Sequence, residues 1–444
     1  MGTEELESFF PYLTRSYIDE AYENINHIAS MCEDFSIKRP LRIPCLPWKS
    51  YNVRNTIEVE KYVSYMPALE NFVKSSYKED NELVFAVIDG IMNHSDLQNK
   101  EAYEALNQCL EMTWVSSEVN KARWSAYYLN LQKIIEECWN AGTLVGCGRG
   151  SGVGFLLLYV LDIIQINPMW ETTKTFSWRF LNPERASILD IDSDVQSNRR
   201  NKVIEALQNR YGEKRVIRVG TERTEGSKSA ILTAARGLDI DNDTAQYIAS
   251  LIESDRGIQR SLKDTYYGNV EKEFPPNRTF QEEMNKYPEL WKVAQKIEGI
   301  QCGLGCHAGG VIIVDEDITN TNSIVKLNSG EWVTVWDLHE SEEVSNVKID
   351  LLATLNLTRI RTCLDLLVQY GYVEQKPTLR ETYEAAIGVY KLDRENPEMW
   401  NKLAKNEILS VFQFDTPQGI QGISLARPNS VEELAALNSI MRLM

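Results

Sequence analysis

Between Leu189 and Val195 the chain reads Leu-Asp-Ile-Asp-Ser-Asp-Val, an acid at every second position. Side chains alternate along a strand, so Asp190, Asp192 and Asp194 share one face there, with neighbours about 6.6–7 Å apart along the strand. Carboxylates placed this way repel one another and are kept most readily with a cation between them. Two Mg²⁺ ions about 3.5–4 Å apart can be bridged by such groups, an arrangement that serves in-line phosphoryl transfer. A calcium loop of the EF-hand type would need Gly at Val195 and Glu at Asn201, and has neither. Alternating Ile188, Ile191 and Val195 favour a strand over a solvated turn. The spacing alone still leaves a plain acidic strand open. Asp239-Ile-Asp-Asn-Asp243 has the same spacing, yet it precedes a predicted helix at Thr244–Ile252, and capping accounts for it.

Gly146-Cys-Gly-Arg-Gly-Ser-Gly-Val-Gly154 offers unobstructed backbone amides ahead of an apolar segment predicted to be helical through Ile164. Such a loop suits a phosphate group. No Gly-Lys-Ser/Thr follows it, and the dinucleotide-binding glycine spacing is missing. A turn needed only for close helix packing is the competing reading; Arg149 and Ser151 favour phosphate. In the apolar run Val347–Leu352, Lys348 and Asp350 share a face, as an ion pair or as site residues. His307, ahead of Gly309 and Gly310, is structural in most such turns. Cys302, Cys306 and His307 lack a second ligand pair at finger-like spacing, which speaks against zinc. From Gln196 to Arg236 ten basic residues, among them Arg199, Arg200 and Lys202, outnumber four acids. They make either a solvated helix face or a local surface for polyanions.

These groups need elements to hold them. The sequence predicts helices over most of 1–135, for instance Tyr17–Met31 and Glu101–Met112, with an extended break at Arg39–Trp48. Strands are predicted at Thr143–Val145, Ile188–Asp194, Arg215–Val219, Gly310–Val314, Glu331–Val335 and Val347–Leu352. A helix is expected at Asn198–Tyr211, a helical insertion from Glu222 to about Ile300, and helices again beyond Leu355. This order implies one mixed sheet, interrupted by a helical insertion and followed by a helical domain. With 444 residues, 43% of them hydrophobic, two to four domains are expected. The net charge of −17 argues against a general polyanion binder but not against a local basic groove. Eight scattered cysteines predict reduced, mostly buried thiols. No apolar run is long enough for a membrane span, the start has no signal-peptide pattern, and Leu6 breaks a myristoylation motif. A cytoplasmic location without membrane contact follows as an expectation.

Several segments, in order, resemble the C family of bacterial and phage replicative DNA polymerases, the alpha subunit of DNA polymerase III. They are Gly148-Arg-Gly-Ser-Gly152, Phe180-Leu-Asn-Pro-Glu-Arg185, Leu189–Asp194, Gly220-Thr221, His307-Ala-Gly-Gly310, Val347-Lys-Ile-Asp350 and Val411-Phe-Gln-Phe414. The resemblance covers about residues 140–444. It implies an α+β fold with a palm of the polymerase-beta nucleotidyltransferase type, a mixed sheet, a helical thumb and the start of helical fingers. The implied domains are a helical part at 1–135 packed on the palm, palm at 136–221 and 301–353, thumb at 222–300, and incomplete fingers at 354–444. It further implies template-directed DNA synthesis in a bacterium or phage-infected host, with dNTP and primer–template DNA as substrates and two Mg²⁺ ions, or Mn²⁺, as cofactors. Asp350 would be the third metal carboxylate, beside Asp190 and Asp192, with Asp194 a candidate for either of those two roles. Arg149, Gly150, Ser151 and Lys348 would meet the nucleotide, and Arg199, Arg200 and Lys202 the duplex backbone.

Leu189 stands where the family has proline. The family's histidinol-phosphatase-like domain has no counterpart, and the sequence stops at Met444 where the family's fingers continue. The expectation is therefore one portion of an enzyme, inactive or nearly so by itself, with a second polypeptide supplying the remaining fingers and the clamp-binding region. Two other readings remain: a non-catalytic polymerase-like scaffold that binds DNA or partner subunits, and a different nucleotidyltransferase on the same palm.

Overall fold

The computed structural model describes residues 3–32, 36–48, 56–170, 176–182, 184, 189, 191–255 and 258–443. Asp190 lies outside the described residues, as do Ile188 and parts of the Phe180–Arg185 motif. Two compact units emerge, residues 1–40 and 41–444. The first carries helices Thr3–Phe9 and Arg15–Ser30. All that follows concerns the second.

Its centre is a six-stranded mixed sheet. The strands are β1 (Asp192–Gln196), β2 (Val216–Thr224), β5 (Gln301–Ile313), β6 (Ile324–Lys326), β7 (Trp332–Thr334) and β8 (Lys348–Thr354), with β3 (Ser254–Asp255) and β4 (Ile258–Gln259) forming a separate hairpin. Across the sheet the order is β1-β8-β5-β2-β7-β6. β1 runs parallel to β8, and β8 antiparallel to β5. Val195, Val216, Val311, Ile349 and Leu351 join one buried cluster with the helices Trp124–Asn140 and Arg200–Tyr211. Alternation does the rest, leaving Asp192, Asp194 and Asp350 on the opposite side.

The insertion between β2 and β5 has its own buried cluster, including Ile231, Ile248, Phe280 and Leu290. The segment after β8 has another around Trp400, Phe414 and Ile423. Separate apolar centres are what a body folding around its own contacts requires.

Several predicted elements shift. Thr143–Val145 forms no strand; Val145 makes only an isolated bridge to Val195. The apolar segment after the glycine loop is not one helix, because a 3₁₀ stretch at Gly150–Gly154 gives way to a short helix at Leu156–Val160 and a turn with Asp162 at φ 57°. β2 runs on through Gly220-Thr221 to Thr224. Gly220 is needed inside it, since a Cβ there would lie 2.0 Å from the Thr334 carbonyl oxygen. β5 begins nine residues before the predicted Gly310, at Gln301, because its glycines and cysteines gave no alternating pattern to read. The thiols are all free, but only Cys109 and Cys138 are buried, so the expectation of mostly buried cysteines fails. Among the described residues no helix is long and apolar enough to cross a membrane.

Candidate active site

In the register of β1 and β8, Asp192 lies opposite Asp350. On the other flank of β8, Gly310 of β5 lies opposite Asp350. Two carboxylates and a glycine thus form a row across three strands. Asp350 is 5% exposed. Lys348, two residues earlier on the same face, donates from Nζ to Asp350 Oδ2 at 2.8 Å. The other oxygen, Oδ1, is buried without a hydrogen-bond partner. A buried acceptor in that condition calls for an explanation such as an ion or a water.

The space beside Oδ1 is kept open by glycine. A Cβ at Gly309 would come 3.4 Å from Asp350 Oδ1 and 2.8 Å from Leu352 Cδ2. His307 Nδ1 accepts the backbone N–H groups of Gly309 at 3.2 Å and Gly310 at 2.7 Å. Those bonds hold the bulge between the pairs Arg218/Val311 and Gly220/Cys306. His307 therefore shapes backbone. Cys302 and Cys306, four residues apart on an extended strand, are about 13 Å apart along it. Among the described residues no set of three metal-binding side chains of the His, Cys, Asp or Glu kind comes together.

Asp192 and Asp194 face a cleft of 540 Å³ whose far wall is the loop Gly146–Gly150. The loop is pinned to β1 by the Gly146 N–H, which donates to the Asp194 carbonyl at 2.9 Å. A Cβ at Gly146 would be 2.8 Å from Asp194 Cβ, so the approach needs glycine. Arg149 Nη1 donates to Asp194 Oδ1 at 3.0 Å, and its Nε lies 3.7 Å from Asp192 Oδ2. Thr354 Oγ1 donates to the same Asp194 oxygen at 2.7 Å. A guanidinium thus supplies the positive charge that adjacent carboxylates need. Phe412 places its ring 5.6 Å from the Arg149 guanidinium carbon. Burial pushes the Cys147 thiol up, which disfavours a thiolate in this cleft.

The remaining predicted residues divide. Gly150 and Ser151 are exposed on the loop, whereas Lys348 is largely buried in its contact with Asp350. The basic segment is not one surface. Arg210 pairs with Glu137 at 3.1 Å, Lys214 with Asp317 at 3.1 Å, and Arg218 with Glu331. Lys202 is exposed and Arg199 half-buried. Arg200 is half-buried too, and its Nε and Nη2 have no hydrogen-bond partner. Burial and the nearby Arg218 guanidinium pull the pKa of Arg200 down.

Residues 81–353 match the model of the bacterial DNA polymerase III alpha NTPase domain, and residues 356–444 that of the alpha-subunit finger domain. The chain belongs to the bacterial DNA polymerase III alpha family. Its relatives include a probable DNA polymerase, YorL, of Bacillus subtilis (strain 168), 34% identical over 453 residues, covering 100% of this chain and 34% of the relative. The DNA-directed DNA polymerase of Bacillus phage SPbeta gives the same figures, 34% identity, 100% of this chain and 34% of the relative. The DNA polymerase III subunit alpha of Thermus aquaticus is 26% identical over 473 residues, covering 99% of this chain and 36% of that protein. The chain thus spans about a third of the length of these relatives.

Thr354, Phe412 and Gln413, all lining the cleft, were not assigned to the site from sequence. Thr354 was within reach of the alternation that begins at Lys348 and Asp350. Phe412 and Gln413 belong to the Val411–Phe414 segment that carries part of the family resemblance, but their place on this cleft comes from the tertiary fold.

Proposed function

We propose that this chain carries the catalytic centre of a template-directed DNA polymerase, transferring a nucleotidyl group from dNTP to a primer 3′-hydroxyl on template DNA. The observation that carries this reading is the row of Asp192, Asp350 and Gly310, with Asp350 Oδ1 partnerless beside space that glycine keeps open. The donors are all carboxylate oxygens, which fit Mg²⁺ or Mn²⁺. Asp192 and Asp350 would hold two such ions, and Asp194 is the described carboxylate best placed to join them. Asp190 keeps its candidacy from sequence alone. Bound there, the ions would lower the pKa of the primer hydroxyl and neutralise charge on the transferring phosphoryl group and pyrophosphate.

The chain's own groups have distinct tasks in this reading. Lys348 holds Asp350 Oδ2 and so aims Oδ1 into the open space. Thr354 fixes Asp194. Arg149 balances Asp192 and Asp194, and with Gly150 and Ser151 it stands where a triphosphate would enter. Arg199 and Lys202 would meet the duplex backbone without reading sequence; Arg200, also predicted for that role, is partly withdrawn by burial. Residues 136–221 and 301–353 serve as palm, 222–300 as thumb, and the chain from 354 as the start of the fingers, with 41–135 a helical support. The setting would be the cytoplasm of a bacterium or phage-infected host.

The ion pairs of Lys348 and Arg149 also suit a non-catalytic scaffold, because they satisfy carboxylates without metal. Primer extension separates the two readings. It should be measured with this chain alone and with a second chain supplying the region its relatives carry beyond the matched third. Extension abolished by Asp192→Asn supports the polymerase; extension unaffected by that change would sink it.

A further inference from the structure

A second cavity, of 470 Å³, lies behind the glycine loop. Its walls come from the residues around His94–Asp96, from the turn at Asp162–Gln165, and from Arg380–Lys391. Gln165 separates it from the catalytic cleft. Its side-chain amide donates to the carbonyls of Val145 (2.9 Å) and Gly146 (3.2 Å), and its backbone N–H to that of Cys147 (2.8 Å).

The volume falls in the range of small-molecule sites, and the wall combines three aromatic rings, Tyr159, Trp170 and Tyr390, with a polar and charged remainder that includes Asp96, Gln165 and Lys391. Trp170 is 51% exposed at the mouth. It is held edge-on to Tyr390, with ring centres 4.0 Å apart. The Tyr390 hydroxyl is itself anchored, accepting the Asn167 backbone N–H at 3.1 Å. An indole held in this way and half open is a stacking platform for a planar base. Two of the acids are already neutralised, since Arg380 binds Asp162 at 3.0 Å and Glu384 at 2.7 Å. Asp162 also has His94 Nε2 at 3.3 Å. Asp96 differs. Its Oδ2 accepts from the Tyr159 hydroxyl (3.2 Å) and Asn167 Nδ2 (2.7 Å), while Oδ1 is engaged by none of the described residues. Exposed Lys391 stands at the rim, and the Arg394 guanidinium lies 5.8 Å from the Trp170 ring.

From these groups we infer that the cavity binds a purine nucleotide, its base stacked on Trp170 and its phosphate near Lys391. A carboxylate only accepts hydrogen bonds, and with Oδ2 taken by Tyr159 and Asn167 the open Oδ1 of Asp96 favours a base edge that presents donors to one oxygen. That edge is the N1–H and N2–H₂ pair of guanine, not the N1 acceptor of adenine. The ligand would lie against the residue that props up the catalytic loop.

Calorimetric titration of the full chain with GMP, AMP and CMP, in metal-free buffer without DNA, tests this. GMP should bind more tightly than AMP, and CMP most weakly. Trp170→Ala should weaken GMP binding at least tenfold, with Trp170→Phe recovering part of it. Asp96→Asn should abolish the preference of GMP over AMP. Asp192→Asn, in the other cleft, should change nothing, which keeps this result separate from that of the polymerase reading. Absence of GMP binding would overturn the inference. So would binding that survives Trp170→Ala, that keeps its GMP preference in Asp96→Asn, or that disappears in Asp192→Asn.

Discussion

The chain contains two acidic triplets of identical spacing, Asp190–Asp194 and Asp239–Asp243, and they fold into unrelated objects. In the second, each acid serves local backbone. Asp239 adopts a left-handed conformation with φ 52°. Asp241 caps the helix Asn242–Ser250, accepting the Thr244 N–H at 3.0 Å, and Asp243 sits in its first turn. In the first, Asp192 and Asp194 stand on an edge strand in parallel register with β8, which adds Asp350 from 158 positions away in sequence. Spacing sets which acids can share a face, but the paired strand decides which further acid that face meets.

The sharpest way to break this contrast is to neutralise one member of the strand pair. Asp350→Asn keeps shape and removes charge. Extension should fall by roughly 10³-fold or more, the scale lost when a group stabilising phosphoryl-transfer charge is removed. Mn²⁺ binding, followed by calorimetry, should weaken in step, and unchanged Mn²⁺ affinity would leave Asp350 as a mere partner of Lys348. Next in size is Arg149→Ala. Loss of charge-assisted hydrogen bonds worth about 1.5–3 kcal/mol should raise the KM for dNTP about tenfold to a hundredfold. In the absence of nucleotide the same variant should bind Mn²⁺ more tightly, because a competing cation has gone. Weaker Mn²⁺ binding would make Arg149 a structural tie.

The same contrast shows what could be read before folding. Alternation around Asp190–Asp194 pointed to a strand, and the described part of it, from Asp192, is one. The apolar run Val347–Leu352 likewise gave β8, and capping was expected of the Asp239–Asp243 segment, although the helix starts at Asn242 and not at Thr244, which makes Asp241 the cap. What stayed hidden depended on partners. Glycine-rich β5 shows no hydrophobic period, so its length and its bulge at His307–Gly310 follow from its pairing with β2 and β8. Arg200 read as an outward basic residue, yet it is half-buried near Arg218. Helical periodicity over residues 200–211 cannot place the first turn against β2.

Thr354→Val offers a smaller test on the strand side. Its hydroxyl donates to Asp194 Oδ1 at 2.7 Å. Outer partners of metal-binding carboxylates typically contribute about 10–100-fold in affinity or activity. Mn²⁺ affinity should drop within that range while thermal stability barely moves. If stability falls and Mn²⁺ affinity does not, Asp194 belongs to the scaffold of the loop and not to the ion site.

The smallest expected effect lies in the control triplet. Asp241→Ala removes the acceptor for the Thr244 N–H and the contact with Thr244 Oγ1 at 3.3 Å. The cost should be about 1 kcal/mol, felt in the insertion whose buried cluster includes Ala245 and Ile248. Asp241→Asn should restore most of it, because asparagine caps as well as aspartate does. Hydrogen exchange across residues 242–250 would read the loss locally, where a global melt would dilute it. Mn²⁺ affinity should stay at the wild-type value in both variants, since the hydrogen bonds of the Asp241 carboxylate go to Thr244 of its own helix. A metal-binding defect in Asp241→Ala that Asp241→Asn fails to rescue would mean that charge at the second triplet reaches the first, and the division between capping and chemistry would fail.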